Sequence, residues 1–91
     1  MVSERRVTVI NELGLHARPA AEFVKLASRF KSDISLQKDG DAVNGKSIMG
    51  VMTLAAECGA ELTLRAEGSD ADAAVTALEE LVANEFGITN E

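Results

Sequence analysis

The chain has no tryptophan and no tyrosine, a single cysteine, a single histidine and a single proline, and its nine basic residues are outnumbered by fifteen acidic ones. Each scarcity excludes something. With Phe23, Phe30 and Phe86 as the only aromatics, there is no platform on which bases could stack. A formal net charge of −6 opposes contact with a phosphate backbone, so no nucleic-acid partner is expected. Cys58 has no second cysteine to bridge and only one histidine to join as a metal ligand, which argues against a disulfide scaffold and a zinc site. A buried, inert thiol is the expectation. No apolar run is long enough to cross a bilayer and the first residues lack the apolar stretch of a signal peptide, so a cytoplasmic protein without membrane insertion is expected.

What remains is a chain of 91 residues, 46% hydrophobic and 26% charged, which is enough for one core built from aliphatic residues and alanine. A single domain over 1–91 is expected. Arg6 to Ile10 alternates, with Val7 and Val9 on one face, and predicts a first strand. From Arg18 onward Ala20, Phe23, Val24, Ala27 and Phe30 recur at spacings of three and four, which predicts an amphipathic helix with Pro19 in its first turn. Asp33 to Gln37 reads as a second strand, Asp39-Gly40 as a hairpin turn and Ala42 to Asn44 as a third strand.

Ser47 suits the N-cap of a second helix in which Ile48, Val51, Met52 and Ala55 stand at helical spacing, weakened by Gly50. Glu61 to Glu67 alternates as a fourth strand ended by Gly68. A last helix starts at Ser69, carries Ala71, Val75, Leu78 and Val82 on its apolar face and stops at Gly87. The order β-α-β-β-α-β-α with a tight hairpin predicts an α+β fold, a mainly antiparallel four-stranded sheet with helices packed on one face.

GDAVNGKS, Gly40 to Ser47, matches the phosphate-binding pattern G-x-x-x-x-G-K-[ST]. The match conflicts with everything around it. A phosphate cradle needs a flexible turn between strand and helix, whereas Gly40 belongs to a hairpin and Ala42-Val43 to a strand. A nucleotide site is not expected.

His16 in GLHARPA is the residue that carries chemistry. It precedes a helix whose first turn offers unpaired N–H groups and partial positive charge, with donors expected from Ala17 and Arg18 and none from Pro19. Arg18 adds a charge-assisted bond to the same anion. An imidazole, with a reference pKa of about 6.5, is a neutral nucleophile near pH 7 that can attack a phosphoryl group and later release it. No base, metal or donor pocket accompanies it in the sequence, so partner proteins are expected to complete the chemistry.

GLHARPAAEFV and NGKSIMGVMTLA, in this order of elements, resemble the HPr family, the histidine-containing phosphocarrier proteins of the bacterial phosphoenolpyruvate-dependent phosphotransferase system. The resemblance spans essentially the whole chain. It implies a sheet order 1-4-2-3 with three helices on one face, and transfer through Nδ1 of His16, the pros nitrogen, from phosphorylated enzyme I to enzyme IIA domains. It further implies a phosphocarrier that is not itself an enzyme and needs no cofactor; a monomer is expected. It also implies that Ser47 is phosphorylated by an HPr kinase/phosphorylase. That reading is physically sound, because a phosphate on an N-cap serine is held by the helix N-terminus while it recharges the surface; the plain alternative is a serine that only caps. Sugar uptake and a nitrogen-related regulatory paralogue are both compatible with these motifs. Relatives that serve only regulation lack the histidine, which here stands in the complete GLHARPA. Leu15, Ile48 and Met49 are expected to form the apolar centre of a docking surface, with Met49 the more exposed of the last two, and Lys25, Arg29 and Lys46 its basic rim.

Overall fold

The computed structural model describes residues 1–88; the last three residues of the expected 1–91 domain lie outside the described residues. The elements are β1 (Val2–Thr8), α1 (Ala17–Ala27), β2 (Asp33–Lys38), β3 (Asp41–Asn44), α2 (Ile48–Thr53), β4 (Glu61–Glu67) and α3 (Ala71–Ala83), followed by a single 3-10 turn at Glu85–Gly87. The strands form one antiparallel sheet in the order β1-β4-β2-β3, as the resemblance implies. The helices cover one face and the other is open.

Strand β1 lies earlier than the alternation of Arg6 to Ile10 predicts. It pairs along the whole of β4, from Val2↔Glu67 to Thr8↔Glu61. The signal was obscured because its outward positions are charged. Arg6 reaches Glu61 at 2.8 Å and Arg65 reaches Glu4 at 3.4 Å across the open face. Such exposed pairs contribute little; they make a charged strand tolerable, while the buried Val7 and Val9 on the other face supply the driving force. Val9 stays bonded to the neighbouring segment through Ala60 and Gly59 beyond the strand proper. Ile10 turns out and is half exposed.

Between sheet and helices lies an aliphatic core centred on Phe23, Leu36, Val51, Leu62, Leu64, Val75, Leu78, Val82 and Phe86, each essentially fully buried. Ala20, Ala66, Ala71 and Ala74 are buried among them, and their small side chains let helix and sheet backbones approach. In α1 the buried stripe is Pro19, Ala20, Phe23 and Ala27; the helix stops at Ala27, so Phe30 packs against the core from the turn beyond it. The hairpin forms where Asp-Gly predicts it, with positive φ at both Asp39 (51°) and Gly40 (88°). The P-loop-like segment is therefore turn, strand and helix cap.

Two expectations about helices are overturned. In α2 only Val51 is buried; Ile48 is 44%, Met52 39% and Met49 81% exposed, and Ala55 falls outside the helix with φ 50°. Six residues make too few turns to bury a full stripe, so one anchor suffices and the rest faces outward. Helix α3 ends at Ala83, four residues before Gly87. Glu85, Phe86 and Gly87 all take left-handed φ (53°, 59° and 68°), which swings Phe86 back into the core. Left-handed backbone costs about 1–2 kcal/mol at a non-glycine residue, and burial of a Phe side chain, worth about 1.5–3 kcal/mol, offsets most of it.

The start of α3 is tied to the start of β2. The Asp70 carboxylate accepts the amides of Lys31 (2.8 Å) and Ser32 (2.9 Å) and the Ser32 hydroxyl. These bonds, the Ser32 hydroxyl first, hold its carboxyl below the usual aspartate range against an opposing desolvation.

Candidate functional site

His16 is the N-cap of α1, extended in backbone (φ −81°, ψ −171°), with its carbonyl accepting the Ala20 amide at 3.1 Å. Its side chain makes no capping bond and is exposed. The amides of Ala17 and Arg18 are the next two donors of the helix and find no backbone acceptor among the described residues. No acidic side chain of its own first turn competes for the positive end of α1. Arg18 is exposed and forms no ion pair among the described residues.

The loop that delivers His16 is seated on the chain leaving α2. Leu15 donates its amide to the Ala56 carbonyl at 2.8 Å. Gly14 has φ +69°, and a Cβ there would lie 2.3 Å from the same carbonyl oxygen, so two separate constraints demand glycine. This seat ties the loop that carries His16 to the chain leaving α2, and α1 and α2 also pack together.

The sequence-predicted docking residues divide. Ile48 and Met49 are exposed, and Met52, which helical spacing assigned to the core, joins them. Leu15 does not: it is only 5% exposed and supports the loop from beneath, a correction that follows from its amide being turned onto Ala56. Lys25 and Arg29 are exposed, without ion pairs among the described residues. Lys46 departs from the expected rim, being half-buried with Nζ donating to the Phe30 carbonyl at 2.7 Å. Ser47 caps α2 as expected, its Oγ accepting the Gly50 amide at 3.1 Å. Cys58 is exposed rather than buried, because it lies in the loop before β4 with Sγ 3.7 Å from the Ile10 carbonyl.

The chain is thus an open-faced sandwich with an exposed histidine at the N-terminus of its first helix. Comparison with known proteins narrows this. The family described as "PTS HPr component phosphorylation site" matches residues 3–84. The phosphocarrier protein HPr of Treponema pallidum is 55% identical over 82 residues, 90% of this chain and 93% of that protein. The crystal structure of HPr-C-His from Thermoanaerobacter tengcongensis superposes with a TM-score of 0.92 at 45% identity, covering 97% of this chain and 99% of that one. Crh of Bacillus subtilis, a catabolite-repression protein whose crystal structure is described as a swapped dimer, is 51% identical with a TM-score of 0.75, covering 89% and 93%. The chain belongs to the HPr family of phosphocarrier proteins of the phosphotransferase system.

Proposed function

We propose that this chain accepts a phosphoryl group on Nδ1 of His16 from phosphorylated enzyme I and passes it to enzyme IIA domains in sugar uptake. The neutral imidazole attacks phosphorus while the bond from phosphorus to the donor breaks and its electron pair returns to the donor. The Ala17 and Arg18 amides and the Arg18 guanidinium meet the phosphoryl oxygens. In the second transfer the nitrogen–phosphorus bond breaks toward the acceptor and the imidazole is regenerated. The observation that carries this reading is the exposed His16 side chain, free of any capping bond, at the start of α1, where the Ala17 and Arg18 amides find no backbone acceptor among the described residues. The chain binds no cofactor, and partners complete the catalysis.

Docking falls to the exposed Ile48, Met49 and Met52, flanked by Lys25 and Arg29. Ser47 is the regulatory site of an HPr kinase/phosphorylase. Phosphate on its Oγ would sit at the N-terminus of α2 and place negative charge beside the docking surface. The acting form is a cytoplasmic monomer, which sedimentation at working concentration tests against the dimer described for Crh.

Incubation with phosphoenolpyruvate and catalytic enzyme I should yield acid-labile phosphate that chases onto an enzyme IIA domain. A folded chain that takes none, or whose His16→Ala variant takes as much, would refute the proposal.

A further inference from the structure

Asn11 stands five residues before His16 in the segment joining β1 to α1, and it is only 6% exposed. Its Nδ2 donates to the Gly14 carbonyl at 2.7 Å. That carbonyl also accepts the His16 amide at 3.0 Å, and the Gly14 amide donates back to the Asn11 carbonyl at 3.1 Å. The Gly14 oxygen is thus the hub of a closed loop from residue 11 to residue 16. Asn11 Oδ1 is buried, and no group among the described residues donates to it.

A buried amide that uses its donor and leaves its acceptor without a protein partner is a poor choice for stability, since burial of an unmatched acceptor carries a desolvation cost. Leucine has nearly the same size and would carry no such cost. What asparagine adds is the bond to the Gly14 oxygen. Elsewhere the loop has little internal support: Glu12 and Leu13 are exposed, and its other anchor is the seat of Gly14 and Leu15 on Ala56.

We infer that Asn11 is a positioning residue: its side-chain amide fixes the Gly14 carbonyl, which holds the His16 backbone in the extended N-cap conformation from which the imidazole takes the phosphoryl group. This rests on the reading of His16 as the acceptor. Asn11 itself, buried behind the loop, touches neither phosphoryl group nor partner. Misplacement of a reacting atom by about 1 Å costs up to about a hundredfold in rate, so release of this hub should appear in the transfer step and leave docking alone.

The test compares the full chain with Asn11→Leu and the isosteric Asn11→Asp, whose carboxylate has no donor for the Gly14 oxygen. Single-turnover rapid quench with phosphorylated enzyme I should give a transfer rate constant lowered about ten- to a hundredfold at a temperature where each variant is fully folded. Affinity for enzyme I, measured by calorimetry, should change less than about twofold, a split that general loss of structure does not produce. In parallel, the His16 amide should lose hydrogen-exchange protection in both variants, a readout that needs no phosphoryl transfer. A folded variant with the parent transfer constant overturns the inference, as does an unchanged His16 amide. Failure of the parent chain to take phosphate would instead sink the functional reading, and the exchange data would still decide what Asn11 does to the loop.

Discussion

Replacing Gly14 by alanine is expected to damage both stability and transfer, through effects whose sizes can be compared. The native φ of +69° costs a non-glycine residue about 1–2 kcal/mol. The loss of unfolded-chain entropy with alanine returns about 0.4–1 kcal/mol. Steric overlap costs more. The new Cβ would stand 2.3 Å from the Ala56 oxygen and 2.9 Å from the Glu57 Cα, both of them backbone atoms that cannot rotate aside. The loop must therefore lift, at a cost of about 1–3 kcal/mol for strain of this kind, and the Leu15–Ala56 hydrogen bond lengthens. A net loss of about 1–5 kcal/mol follows from these ranges. Urea unfolding should show it as a lower midpoint with an unchanged slope. Because His16 follows two residues later, the folded fraction should also transfer phosphate more slowly. If Gly14→Ala unfolded within about 0.5 kcal/mol of the parent, the range of ordinary surface changes, the close seat of this loop on Ala56 would be refuted.

Gly50→Ala is the converse case: its Cβ would meet the Asn44 oxygen and Ser47 at 3.4 Å, ordinary contact, so thermal unfolding followed by circular dichroism should show a gain of about 0.5–1 kcal/mol from the better helix former. Ser47→Ala removes the acceptor for the Gly50 amide and should cost about 1 kcal/mol in denaturant titration; no loss would mean that the cap is idle. Asp70→Asn should lower the melting temperature at pH 7. Since the Asp70 carboxyl is held below its ordinary value of about 3.9, its contribution is fully present above that pH and is lost as pH falls through the lower folded value. The gap between parent and variant should therefore close below about pH 3.9, and a gap that stays constant into acid would contradict the origin given for it.

The elements most legible in the sequence were those with a strong period or a specific turn. Phe23 and its neighbours in α1, the alternation of Glu61–Glu67 and the Asp39-Gly40 turn each had one physical solution. Strand β1 was displaced because Glu4 and Arg5 look like solvated loop until Arg65 and Glu79 are seen beside them. Helix α2 misled because apolar residues at helical spacing imply a buried face, and nothing local says that Val51 alone is the anchor. The left-handed turn at Glu85 and Phe86 is a tertiary effect, set by a core that recaptures Phe86. The position of His16 ahead of α1, with Ala17 and Arg18 in the first turn, followed from the signals of a helix N-terminus. Leu15 and Lys46 were misplaced because their partners, the Ala56 and Phe30 carbonyls, lie far along the chain.

The most direct test of the central claim is a heteronuclear NMR titration of the chain as it is phosphorylated by phosphoenolpyruvate and enzyme I. The Ala17 and Arg18 amides should move furthest, downfield, as they begin to donate to phosphoryl oxygens on His16. Stationary Ala17 and Arg18 signals in a fully phosphorylated sample would contradict the account.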